Sequence, residues 1–145
     1  MGLSILLADG HTALRQSLRT LLEEHPQWRV VAEAADGREA VRQAVETIPD
    51  VVVMDVALPL LNGIEATRQI VRLVPTAKVV ILSMHVDEGY VAPILEAGAV
   101  GYLLKYCADI ELVPAVMAVA SGHVFLSPSI PRSMLPDRGP STPRG

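Results

Sequence analysis

Aromatic residues are scarce in this chain of 145 residues, which has one Trp, one Phe and three Tyr although 50% of its residues are hydrophobic. The core therefore has to be built from aliphatic side chains, chiefly those of Val, Leu, Ile and Ala. Aliphatic runs of this kind are typical of a parallel β-sheet that is buried on both faces. The length predicts a single domain that buries roughly two thirds of the surface of the unfolded chain.

Other absences narrow the setting in which the chain works. The single cysteine, Cys107, excludes an internal disulfide and indicates a reducing compartment. No apolar run approaches the ~20 residues of a membrane-spanning helix, and the amino end lacks a basic segment followed by an apolar stretch. We therefore expect a cytoplasmic protein without a membrane partner. The net charge of −4 comes without runs of one sign, so the chain is not expected to bind DNA unaided.

Strand and helix patterns alternate about five times along the chain. Short apolar runs bounded by turn residues predict strands, and apolar residues three or four apart predict the helices between them. Right-handed crossovers place such helices on both faces of a parallel sheet. The predicted fold class is α/β, a flavodoxin-like (βα)5 doubly wound sheet with strand order 2-1-3-4-5. The predicted strands are Leu3–Ala8, Val30–Ala34, Val51–Met54, Val79–Leu82 and Val100–Leu104.

The character of the chain changes after Leu126. Five prolines are interleaved with Ser, Arg and Gly in the remaining residues, a composition that does not pack a core. We expect one folded domain over residues 1–126 and a flexible tail, or the start of a linker, over residues 127–145.

Three of the predicted strands are followed directly by a charged residue. Asp9 follows the first strand, Asp55 the third and Lys105 the fifth. The carboxyl ends of parallel strands lie at one edge of the sheet, where open α/β folds bind ligands. The sequence therefore predicts a site at that edge with two carboxylates and an ammonium group.

Five short motifs carry a resemblance to a known family. They are Ile5–Asp9, Val53–Asp55, Pro59–Gly63, Leu82–Met84 and Gly101–Lys105. In this order they resemble the receiver domain of a two-component response regulator, over about residues 3 to 126. Residues 122–128 look like the junction in LuxR/NarL-type regulators, where a linker leads to a helix-turn-helix domain.

The resemblance implies a role for each polar residue at the predicted edge. Asp55 would be the phosphorylation site, and its carboxylate would attack a phosphohistidine. Lys105 would pair with the phosphoryl oxygens, and Ser83 would donate a hydrogen bond to one of them. Tyr102 would be the aromatic residue that changes rotamer once Ser83 is engaged, although a tyrosine on an edge strand could equally be a surface residue.

The resemblance also implies a Mg²⁺ site with an unusual ligand set. Asp9, Asp55 and the backbone carbonyl of Ala57 would hold the ion, because Mg²⁺ prefers oxygen ligands. Members of the family usually carry a second acid after Asp9, and here Gly10 takes its place. Loss of that charge should weaken Mg²⁺ binding by at least about 10–100-fold. Alternatively, Gly10 could serve a backbone conformation with positive φ, and the adjacent His11 could either cap the first helix or approach a phosphoryl group.

Two classes of function follow from these residues. The first is a non-enzymatic receiver that accepts a phosphoryl group from a sensor histidine kinase and switches a LuxR-type DNA-binding output for transcription regulation. It would form a homodimer and contact DNA only through a C-terminal helix-turn-helix domain, which this sequence does not include. The alternative is an atypical receiver that acts as a protein-interaction or dimerisation module without phosphorylation, as Gly10 suggests.

Two other readings have less support. A phosphatase of the haloacid dehalogenase type would need a second Asp two residues after Asp55, where Ala57 stands. A flavodoxin-like cofactor site would need a phosphate-binding loop after the first strand, where the sequence offers only Gly10.

Overall fold

The computed structural model of this chain describes residues 2–84 and 88–130. Strands and helices alternate, and a 3₁₀ turn over Lys105–Cys107 follows the fifth strand. The strands are β1 (Leu3–Ala8), β2 (Trp28–Ala34), β3 (Val51–Asp55), β4 (Lys78–Ser83), β5 (Gly101–Leu104) and β6 (Phe125–Leu126). The helices are α1 (Thr12–Glu23), α2 (Gly37–Thr47), α3 (Gly63–Leu73), α4 (Glu88–Glu96) and α5 (Ala108–Ala120).

The strands form one parallel sheet in the order β2-β1-β3-β4-β5-β6. The predicted fold class and the order of its five strands are therefore confirmed. The sixth strand, β6, was not predicted, because two residues carry too little alternation to indicate a strand. It pairs in parallel with Gly101 and Tyr102, so β5 is an internal strand.

The helices cover both faces of the sheet and divide the core into two parts. Side chains of β3 alternate between the two, so Val51 and Val53 face one part while Val52 and Met54 face the other. The first part is closed by apolar residues of α1 and α5, and the second by those of α2, α3 and α4. All five residues of β3 are buried, as expected for a strand at the centre of a parallel sheet.

The register between β1 and β3 brings two carboxylates together. Ala8 pairs with Met54, and the next residue in each strand direction is an aspartate, Asp9 or Asp55. The two side chains therefore start from neighbouring positions at the same edge of the sheet.

The register between β4 and β5 adds the other two polar residues. Ser83 pairs with Leu104, which directly precedes Lys105. The four strand ends thus place a serine and a lysine beside the two aspartates.

Residues 127–130 continue to pack on the domain beyond β6. Ser127 donates its backbone N–H to the carbonyl of Tyr102 at 2.9 Å, and Ser127 and Ile130 are both buried. Residues 131–145 of the expected tail lie outside the described residues. The division at residue 126 therefore stays a prediction.

Within residues 2–84 and 88–130, none of the helices combines the length and the apolar character that crossing a bilayer would require.

Candidate functional site

Asp55 lies at the end of the central strand with its carboxylate held on two sides. Its Oδ1 accepts a hydrogen bond from the backbone N–H of Ala57 at 3.0 Å, and its Oδ2 accepts one from Lys105 Nζ at 3.0 Å. The residue is only 3% exposed. The carboxylate is thus fixed in orientation, and its charge is paired with that of the ammonium group.

The amino end of α3 packs directly against the backbone that follows Asp55. Gly63 donates its N–H to the carbonyl of Val56 at 2.8 Å. A Cβ on Gly63 would lie 2.6 Å from Val56 Cα and 2.9 Å from the carbonyl oxygen of Asp55. Only glycine permits this close approach, which explains why the loop after β3 ends in Asn62-Gly63. The Asn62 side chain in turn caps α3 by accepting a hydrogen bond from the N–H of Glu65.

Lys105 places its ammonium group between the two aspartates. Nζ lies 2.9 Å from Asp9 Oδ2 and 3.0 Å from Asp55 Oδ2, and the side chain is 4% exposed. Burial alone would lower the pKa of Lys105, but the hydrogen bonding and charge of Asp9 and Asp55 outweigh it and raise that pKa. Lys105 is therefore a fixed cation at neutral pH, and the pocket holds two carboxylates against one ammonium.

Asp9 is completely buried, and each of its carboxylate oxygens has a polar neighbour. Its Oδ1 accepts a hydrogen bond from the backbone N–H of His11 at 2.8 Å. Its Oδ2 forms an ion pair with the Lys105 ammonium at 2.9 Å. A buried carboxylate oxygen in this state suits a bound cation.

His11 occupies the N-cap position of α1, but its side chain makes no capping hydrogen bond. The ring Nδ1 instead lies 3.2 Å from Asp9 Oδ1 and 3.5 Å from Lys105 Nζ. The expectation that this side chain caps the helix is wrong. Its ring lies beside the pocket, and its approach to a phosphoryl group stays a prediction.

Gly10 has no conformational need to be glycine. Among the described residues, the glycines with positive φ are Gly98 and Gly122. A Cβ at position 10 would lie 3.4 Å from the carbonyl oxygen of Ala35 and 3.9 Å from Pro59 Cδ, which is ordinary contact distance. The possibility of a left-handed backbone at Gly10 is therefore excluded, and the position has room for a side chain.

Ser83 and Tyr102 are both buried, at 3% and 0% exposure. Ser83 lies at the end of β4, on the edge that carries Lys105. Tyr102 lies on β5, where β6 covers the strand, and its side chain belongs to the core on the α2, α3 and α4 side of the sheet. The reading of Tyr102 as a surface residue on an edge strand is wrong, because the sheet continues beyond it.

Arg15 is a structural residue of the site that the sequence analysis missed. Its Nη1 donates a hydrogen bond to the backbone carbonyl of Asp9 at 2.6 Å, and its Nε donates one to Glu33 Oε1 at 2.8 Å. It therefore ties the end of β1 to β2. The available signal was Glu33, an acid within an otherwise apolar strand segment.

The donor atoms of Asp9, His11 and Asp55 all lie within 4.8 Å of one another. Two carboxylates on a rigid edge fit a divalent cation. The set has no acid at Gly10, the position after Asp9, and the next residue, His11, offers an imidazole.

Comparison with known proteins gives a consistent result. Residues 5–117 match the family model of the response regulator receiver domain. The chain is 37% identical over 133 residues to the transcriptional regulatory protein DegU of Brevibacillus brevis, which covers 92% of this chain and 56% of that protein. It is 39% identical over 131 residues to the transcriptional regulatory protein LiaR of Bacillus subtilis, which covers 90% of this chain and 62% of that protein. The chain thus spans about three fifths of the length of these relatives.

Solved structures show the same likeness. A two-component response regulator of the LuxR family from Aurantimonas sp. SI85-9A1 matches with a TM-score of 0.85 and 43% identity, over 90% of this chain and 93% of that one. The signal receiver domain of the response regulator NarL from Mycobacterium tuberculosis matches with a TM-score of 0.79 and 29% identity, over 84% of this chain and 98% of that one.

Proposed function

This chain belongs to the response regulator receiver domain family, and from that premise we propose that it accepts a phosphoryl group on Asp55 from a sensor histidine kinase. The observation that carries the proposal is the buried Asp55 carboxylate, whose Oδ2 lies 3.0 Å from the ammonium group of Lys105. The proposed consequence is a switch that acts on a LuxR-type DNA-binding output and thereby regulates transcription.

The proposed chemistry is the transfer of one phosphoryl group. A carboxylate oxygen of Asp55 attacks phosphorus, the P–N bond of the phosphohistidine breaks, and its electron pair returns to the imidazole of the kinase. Lys105 would neutralise charge that gathers on the phosphoryl oxygens during the transfer. The product is an acyl phosphate on the protein itself, so the chain acts as a signalling module that is modified and does not turn over a free substrate.

Receiver domains bind Mg²⁺ at an acidic pocket, and the pocket here fits such an ion in part. Asp9, Asp55 and the backbone carbonyl of Ala57 would hold it, and the ion would supply positive charge opposite the phosphoryl oxygens. Gly10 leaves two carboxylates against one ammonium, so we propose that Mg²⁺ binds weakly.

The proposed switch connects Asp55, at the edge of the sheet, to the surface of α4, β5 and α5. The phosphoryl group would attract the hydroxyl of Ser83, and the aromatic side chain of Tyr102 would respond to the movement of Ser83. Phosphorylation would then shift a pre-existing two-state equilibrium that changes the surface of α4, β5 and α5. The complete burial of Tyr102 supports this, because a buried ring can move only together with its neighbours.

We propose a homodimer as the product of that switch, with α5 as its contact surface. Four residues spaced four, three and four apart form an apolar stripe along the outer side of this helix and the turn before it: Tyr106, Ile110, Val113 and Met117. Three of them are more than half exposed. DNA would be contacted only through a helix-turn-helix domain after the proposed linker of residues 127–145, with residues 1–126 as the receiver.

Acetyl phosphate labelling tests the proposed acceptor. The protein is incubated with the reagent, with and without Mg²⁺, and its intact mass is measured beside Asp55→Asn and the control Asp109→Asn, which alters an exposed acid of α5. We expect a Mg²⁺-dependent gain of one phosphoryl group in the native protein and in the control, and none in Asp55→Asn.

The same experiment decides between two candidate functions. Gly10 is the observation in favour of an interaction module that works without phosphorylation. Folded protein that stays unlabelled at saturating Mg²⁺ would support that module, and labelling of Asp55→Asn would refute the assignment of the acceptor.

A further inference from the structure

His11 lies at the edge of the pocket, and neither helix capping nor packing determines the position of its side chain. It begins α1 without capping it, and its backbone N–H orients the carboxylate of Asp9. Its side chain is 74% exposed, so no packing forces the Nδ1 edge toward the buried aspartates. The position of that atom, 3.2 Å from Asp9 Oδ1, therefore reflects attraction by the polar pocket.

The separations match those between ligands of one metal ion. Two ligands about 2.1 Å from an octahedral ion and at right angles to each other lie about 3.0 Å apart. His11 Nδ1 and Asp9 Oδ1 are 3.2 Å apart, and the whole set with Asp55 falls within 4.8 Å. A single ion can thus reach all three residues with small side-chain movements.

A cation already occupies the middle of this set. Lys105 Nζ lies 2.9 Å from Asp9 Oδ2, 3.0 Å from Asp55 Oδ2 and 3.5 Å from His11 Nδ1. The ammonium group is thus close to both carboxylates and to the imidazole nitrogen. A metal ion at the site would therefore share Asp9 and Asp55 with Lys105.

The chemistry of the donors then favours a particular class of metal. Mg²⁺ depends on oxygen ligands and on negative charge, and Gly10 removes one carboxylate from this pocket. An imidazole nitrogen adds a ligand without adding charge, which benefits transition-metal ions far more than Mg²⁺. We infer that His11 Nδ1 is a direct ligand of the divalent cation in this pocket, in place of the acid missing at Gly10, and that the pocket binds first-row transition-metal ions such as Mn²⁺ and Co²⁺ in preference to Mg²⁺.

This inference rests on the proposed function for the location of the cation, but metal binding tests it without any phosphorylation. Affinities for Mg²⁺, Mn²⁺ and Co²⁺ are measured by titration calorimetry for the native protein, His11→Ala and the matched control His123→Ala, which removes another exposed histidine. We expect His11→Ala to weaken Co²⁺ and Mn²⁺ binding by about 10-fold or more, to change Mg²⁺ binding much less, and His123→Ala to change neither.

Spectroscopy of the bound metal gives an independent measure. Pulsed electron paramagnetic resonance of the Mn²⁺ complex is expected to show nitrogen hyperfine coupling in the native protein and in His123→Ala, and to lose it in His11→Ala. Circular dichroism of each variant verifies that it is folded. A native Mn²⁺ complex without nitrogen coupling, or equal Co²⁺ affinities for His11→Ala and His123→Ala, would overturn the inference.

The two hypotheses fail in different ways. If Asp55 is labelled by acetyl phosphate at saturating Mg²⁺ while nitrogen coupling is absent, only the role of His11 is wrong. If nitrogen coupling is present but no metal supports labelling of Asp55, the ligand is correct and the phosphoacceptor function is wrong.

Discussion

At the scale of single residues, Gly10 stands where the resemblance leads us to expect a second acid, and a substitution can restore that acid. The backbone there does not require glycine, and a Cβ would make only ordinary contacts. We predict that Gly10→Asp tightens Mg²⁺ binding by about 10-fold or more, because it returns a charged oxygen ligand to the pocket. Titration calorimetry with Mg²⁺ measures this directly.

The control for that change is Gly10→Asn, because the side chain of asparagine has nearly the same size as that of aspartate but carries no charge. It is expected to recover only a small part of the gain. Equal Mg²⁺ affinity of the native protein and Gly10→Asp, with both folded, would mean that the side chain at position 10 does not reach the ion.

The sequence predicted those residues of the site that directly follow the end of a strand. Asp9, Asp55 and Lys105 follow apolar strands directly, so a parallel sheet was enough to bring them to one edge. The sequence left the direction of the His11 side chain open and the contacts of Arg15 were missed, because both depend on which way a side chain turns at the start of a helix. That direction is decided by neighbours that are distant in sequence, such as Glu33 for Arg15 and Lys105 for His11.

At the scale of secondary-structure elements, a cluster of charges joins α1 to β2 behind the pocket. Arg15 and Arg19 both donate hydrogen bonds to Glu33. Burial raises the pKa of Glu33, but the hydrogen bonds from Arg15 and Arg19 outweigh it and the pKa is lowered below 4.5. Because the folded state holds the carboxylate ionised, the cluster stabilises the fold above about pH 4.5 and loses that contribution as the pH falls further.

We predict that Glu33→Gln lowers the free energy of unfolding by about 1 kcal/mol at neutral pH and by much less at pH values below 4.5. Urea unfolding at pH 7 and at several values below 4.5 measures the difference. Glu46→Gln, in an exposed pair on α2, is the control and should change little at any pH. A stability loss for Glu33→Gln that is the same at every pH would contradict the role of its charge.

The elements themselves could largely be predicted, and the exceptions have physical reasons. Four of the five predicted strands (β1, β3, β4 and β5) are largely buried apolar runs, so their pattern is strong, whereas β2 lies at the edge of the sheet and is only partly buried. The two-residue β6 is held by pairing with β5 and has no pattern of its own. The apolar residues of α5 surround the helix instead of lining one face. Only some of these apolar residues are buried, and Ile110 and Met117 remain 75% and 51% exposed.

At the scale of the whole molecule, this excess of apolar surface has a clear location. It runs along α5 beside a groove of about 440 Å³ between α1 and the start of α5, with Leu14, Leu18 and Leu21 in its lining. The apolar stripe and the groove on the same surface allow two copies to pack about a two-fold axis, with the stripe of each copy in the groove of the other. The two acids in the first turn of α5, Asp109 and Glu111, are not among the stripe positions, and α5 has no basic residue, so no charged residue belongs to the stripe.

We therefore predict that Ile110→Glu weakens self-association of the phosphorylated protein by about 10-fold or more in Kd, which corresponds to about 1.4 kcal/mol. A carboxylate in the centre of an apolar contact would have to lose its hydration without gaining a partner. Sedimentation velocity over a range of concentrations, with acetyl phosphate and a divalent metal present, measures the dimer. Val45→Glu makes the same change at a 47% exposed residue of α2, on the opposite face of the sheet, and should leave the dimer intact. Unchanged association of Ile110→Glu, or loss of the dimer in Val45→Glu alone, would place the contact elsewhere on the molecule.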